Sequence, residues 1–189
     1  MKSSEVLNQY RHTAQFYILA TVIPWSFWFA GGYVSHIQPY QQKYLDIASI
    51  LVFIGLLAPI IVCYILILKE PILKRDIAKR FFNFDAVSPE YFILACVLLP
   101  FGIVSAILIS LIFDYSPSQL IISGKFTFSS GIFPVWFLLI VAPVLEEMAW
   151  HSYGTDSLRR KYTLFTTSVI FSLYWGIWHM PLASIRDYY

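Results

Sequence analysis

Two adjacent carboxylates, Glu146 and Glu147, follow the apolar run 133–145 without a break, and His151 stands four residues after the second. Another imidazole, His179, closes a separate apolar run, with Trp175 four residues before it. Carboxylates and imidazoles are the side chains that most often exchange protons in catalysis, and all four groups are also acceptable zinc ligands. An ionisable group at membrane depth costs about 3 kcal/mol on insertion scales unless it faces a polar cavity or a partner, so Glu146 and Glu147 mark a candidate site. Successive helical residues point about 100° apart, and the two cannot face one partner: one acts while the other is braced. Glu147 and His151 share a helical face at a spacing that suits a hydrogen bond or ion pair. A purely structural reading competes. In it the pair caps a helix end near the headgroups, and Trp150 and Tyr153 are interface anchors. Gly154 is expected to end the helix as its C-cap.

The elements that must position these groups follow from composition. Of 189 residues, 58% are hydrophobic and only 13% are Asp, Glu, Lys or Arg, which is the make-up of a membrane protein. The apolar residues gather into blocks near the roughly 20 residues a helix needs to cross a bilayer. Five spans are expected, at about 15–34, 47–68, 91–113, 132–150 and 163–179, giving an all-α, polytopic transmembrane helix bundle in one membrane domain, 1–189. The first block is read as an anchor rather than a signal peptide, because cleavage after Ala30 would place bulky Trp28 where a small residue is required. Lys2 and Arg11 precede the first span, Lys69, Lys74, Arg75, Lys79 and Arg80 follow the second, and Arg159, Arg160 and Lys161 follow the fourth. The other connections hold only Lys43, Lys125 and Arg186, so the positive-inside rule puts the N-terminus in the cytoplasm of a multi-pass cell-membrane protein. Pro24, Pro59 and Pro100 fall inside spans and are read as kinks. The segment 69–85 reads as a short amphipathic helix on the cytoplasmic surface or as a plain connector. Cys63 and Cys96 lack metal-type spacing and are assigned to apolar packing. A net charge of +2 suggests no nucleic-acid partner.

In its two motifs the chain resembles the CPBP intramembrane proteases, a family that includes the CAAX prenyl endoproteases and the Abi-type bacteriocin-immunity membrane proteins. The family's first motif, two glutamates, three residues and an arginine, reads here Glu146, Glu147, Met148, Ala149, Trp150, His151, followed by Ser152, Tyr153 and Gly154. The second, a phenylalanine, three residues and a histidine, reads Trp175, Gly176, Ile177, Trp178, His179. Histidine thus replaces the arginine, and tryptophan replaces the phenylalanine. The resemblance implies peptide-bond hydrolysis within the membrane, with Glu146 as general base, His179 holding the attacking water, and Glu147, His151 and Trp175 in support. The family's later motif, a histidine with an asparagine or aspartate, has no counterpart before Tyr189. The chain is therefore expected to be the N-terminal part of a longer domain whose motif region begins near 132.

Other readings remain open. Glu147, His151 and His179 would be the ligands of a divalent metal such as zinc, against a metal-free, glutamate-activated water. A non-catalytic immunity or scaffold protein of the same family is the alternative function, and a proton-coupled transporter fragment a third. The partners expected are a peptide or protein substrate at the membrane and the lipid bilayer.

Overall fold

The computed structural model describes residues 4–80, 88–121, 133, 137–186 and 188, which form helices and turns, with no strand among them. An all-helical membrane bundle is what the apolar blocks predict. The chain divides into two compact units, Met1–Ala78 with Thr127–Tyr189, and Lys79–Phe126.

The smaller unit holds α5 (Pro89–Leu111) and a 3-10 turn, Pro117–Leu120. Ser88 and Pro89 start α5 well, since proline has no N–H to leave unbonded in the first turn and its fixed φ suits the helix. Apolar on every side, α5 matches the predicted span 91–113 and is long enough to cross a membrane.

The larger unit is built on α2 (Thr13–Ser35) and α3 (Gln42–Ile67), flanked by the short α1 (Ser4–Asn8) and α4 (Pro71–Ala78). Both long helices meet the length and hydropathy of a membrane crossing, and they contain the predicted spans 15–34 and 47–68 almost entirely. Lipid tails are as apolar as leucine, so such helices associate by close packing at small residues rather than by expelling water. A Cβ on Gly31 would stand 3.3 Å from the Ala48 carbonyl oxygen, and one on Gly55 only 2.4 Å from Trp28 Nε1. In the segment 69–85, α4 does form, but its Leu73 and Ile77 are buried in the protein core rather than turned to a bilayer surface. Phe81 and Phe82 of that segment lie outside the described residues.

The fourth predicted span departs from expectation. Residues 132 and 134–136 lie outside the described residues, and from Phe137 the backbone is helical to Arg159. It passes through a wide π turn (Phe137–Val141), α6 (Ala142–Ala149), a second π turn (Trp150–Gly154) and α7 (Thr155–Arg159). Gly154 therefore does not end the helix; its φ of −56° is helical. Glycine is needed for space instead, because a Cβ there would come within 3.2 Å of both the Phe16 and Trp150 rings. Nor are Trp150 and Tyr153 interface anchors, since both are fully buried. They join Phe16, Phe171 and Trp178 in an aromatic core, with Trp150 edge-on to Phe16 at 5.3 Å and to Trp178 at 5.2 Å. The fifth span is α8 (Leu164–Trp178), N-capped by Thr163 Oγ1, which accepts from the Thr166 N–H at 3.2 Å. Its 15 residues fall short of a full crossing, and a 3-10 turn, Met180–Ser184, follows.

Candidate active site

Between the two π turns, α6 turns Glu146 inward, leaving it 8% exposed. The last turn of α8 brings two groups to the same carboxylate oxygen. Trp175 Nε1 donates to Glu146 Oε1 at 3.1 Å, and His179 Nε2 lies 3.2 Å from it. His179 Nδ1 is 2.8 Å from the Trp175 carbonyl oxygen. A carbonyl can only accept, so Nδ1 carries a hydrogen. The contact between Nε2 and Oε1 then needs one shared proton, held by the imidazole or by the acid. Such an arrangement can pass a proton between the two groups and hold the carboxylate in one orientation.

The direct approach of Nε2 to Oε1 leaves no room for a water on the line between them. A water activated here would have to sit at the second carboxylate oxygen, Oε2. Trp175 and His179 are only partly covered, which leaves this side of α8 accessible.

Glu147 points away, as the helical rotation requires, and meets His151 Nε2 at 2.7 Å. Both side chains are about half exposed, so this pair contributes little beyond a local brace. The expected metal set is not gathered: Glu147 and His151 form one pair, while His179 belongs to the other, with Glu146. Among the described residues no three His, Cys, Asp or Glu side chains stand close enough to hold a metal ion together.

The resemblance gave Trp175 only a supporting role in place of the family's phenylalanine, whereas its N–H reaches the candidate base directly. The available signal was its indole in an apolar helix, where an N–H needs an acceptor. Contacts from α2 were also missed: Trp25 Nε1 donates to the Trp178 carbonyl at 2.9 Å, and Trp178 Nε1 to the Ala20 carbonyl at 2.7 Å.

Three apolar helices long enough to cross a membrane, and a buried carboxylate set against an imidazole, are the features of a membrane protein with a candidate site for proton exchange. A family model described as Type II CAAX prenyl endopeptidase Rce1-like matches residues 128–187, which include both motifs. A protein named CAAX prenyl protease 2, from Methanococcus maripaludis, is 35% identical over 187 residues, covering 97% of this chain and 68% of that relative. The chain belongs to the CPBP family of CAAX-type proteases.

Proposed function

We propose that the protein is a multi-pass cell-membrane endopeptidase of the CAAX type, with its N-terminus in the cytoplasm. It hydrolyses a peptide bond near the prenylated C-terminal tail of a protein substrate. The relative's name supports the prenylated substrate. The observation that carries the chemistry is the buried Glu146 carboxylate, held through one oxygen by Trp175 and His179. Its other oxygen takes a proton from a bound water, the resulting hydroxide adds to the scissile carbonyl, and that proton passes to the departing amine as the C–N bond breaks. His179, fixed by the Trp175 carbonyl, keeps the base in place and shares its proton. Glu147 and His151 brace the helix beside it.

The test is Glu146→Gln, which keeps size and hydrogen-bonding capacity but cannot serve as a base. Cleavage of a farnesylated peptide by the full protein in liposomes should fall by about 10²- to 10⁴-fold, with thermal stability retained. Unchanged turnover would remove Glu146 from the mechanism. Wild-type protein that binds the peptide without cleaving it would favour the immunity or scaffold reading.

A further inference from the structure

We propose that Trp25 and Trp178 are positioning residues for His179, acting through a reciprocal pair of indole-to-carbonyl hydrogen bonds at two carbonyls left vacant by prolines. The inference rests on the assignment of His179 to the hydrolytic site.

Pro24 lies inside α2 and has no N–H, so the Ala20 carbonyl one turn earlier has no helical donor. Trp178 Nε1 fills that vacancy at 2.7 Å, in a buried bond. The second vacancy is at the end of α8. The Trp178 carbonyl lies in the last helical turn, where acceptors go unpaired. Three residues on stands Pro181, again without an N–H, and the Leu182 N–H is directed to the His179 carbonyl at 3.0 Å. Trp25 Nε1 supplies the missing donor at 2.9 Å.

Neighbouring residues of α2, a proline that opens an acceptor and a tryptophan that supplies a donor, thus clasp one residue of α8. That residue immediately precedes His179 and packs edge-on against its ring at 4.8 Å. The same helix also holds the turn that follows. A Cβ on Gly32 would be 2.3 Å from Ser184 Oγ, and Ser35 Oγ accepts from the Arg186 N–H at 3.1 Å. His179 is therefore fixed on both sides by α2, a helix with no residue bonded to Glu146. The function of the clasp is to set the distance from Nε2 to Oε1.

Two variants of the full protein test this, with a farnesylated fluorogenic peptide as probe. Trp25→Phe removes the donor but keeps a ring able to pack against Phe29, which the indole meets edge-on at 6.2 Å. Pro24→Ala restores a helical N–H to the Ala20 carbonyl and so competes with Trp178, at the cost of the outer ring carbons of a buried proline. Each is expected to lower kcat about tenfold, the value of one hydrogen bond expressed as a rate, with KM within about twofold of wild type. In both variants the ¹⁵N signals of the His179 ring, recorded by NMR in micelles, should move from their wild-type positions. A Pro24→Ala protein at least as heat-stable as wild type yet slower in kcat is the result a merely structural role does not give. Unchanged kcat with unmoved His179 signals in both variants would overturn the proposal. Should wild-type protein cleave nothing, the hydrolytic reading fails separately, and the His179 signals alone decide the positioning: moved signals sustain it, unmoved signals refute it.

Discussion

Trp175 serves the candidate site in two ways that mutation can separate. Its backbone carbonyl fixes His179 Nδ1, and no substitution removes that oxygen; its indole holds Glu146 Oε1, and that contact can be deleted. The ring also packs against His179 with centroids 4.3 Å apart. Trp175→Phe keeps this packing and restores the residue of the family motif, so kcat on a farnesylated peptide should fall by no more than about tenfold. Trp175→Ala removes the packing as well and should fall further; equal losses would assign the whole effect to the N–H. At this scale residue types were legible, because an acid in an apolar helix stands out. The partners were not: 29 residues separate Trp175 from Glu146, and nothing local states that an indole will reach across.

Among the elements, α1 and α4 are short and gain their place from specific bonds rather than length. Between α1 and α2, Tyr10 is fully buried, and its hydroxyl donates to Asp76 Oδ2 of α4 at 2.6 Å. Burial, with the bond to Asp76 second, holds the Tyr10 phenol well above its ordinary value. A group whose folded pKa is raised stabilises fully below its unfolded value, about 10 for tyrosine, and the contribution fades as pH climbs past it. Thermal stability should therefore decline above roughly pH 10, and Tyr10→Phe should decline less steeply over the same range, as followed by melting temperature. A parallel decline in both proteins would show that this phenol stays uncoupled from folding. The long helices α2, α3 and α5 were readable from apolar length, the property by which all three qualify as membrane crossings. The need for glycine at 154 was not, because its cause is steric: the Phe16 and Trp150 rings occupy the space a side chain would need.

For the whole molecule, the charge pattern makes an orientation testable. Basic residues cluster in 69–80, where Arg75 lies exposed on α4. With Cys63 and Cys96 replaced by alanine, Arg75→Cys in intact cells should resist an impermeant maleimide and react once the membrane is opened. Labelling from outside would invert the topology. The resemblance read from motifs was confined to 141–182, since the earlier spans offered only hydrophobicity to compare. Aligned with a relative, the likeness runs through 97% of the chain, so it extends beyond the motifs into the apolar helices. The two π turns bracketing α6 carry an evolutionary consequence. Each accommodates one residue more than an ordinary helical turn, so losing a single residue from 137–141 or 150–154 tightens that turn and leaves the acid facing its histidine. A one-residue gap among homologues is thus best borne at 137–141; at 150–154 it would also disturb the His151–Glu147 pair or the buried rings of Trp150 and Tyr153, and within 142–149 it would rotate the base out of reach.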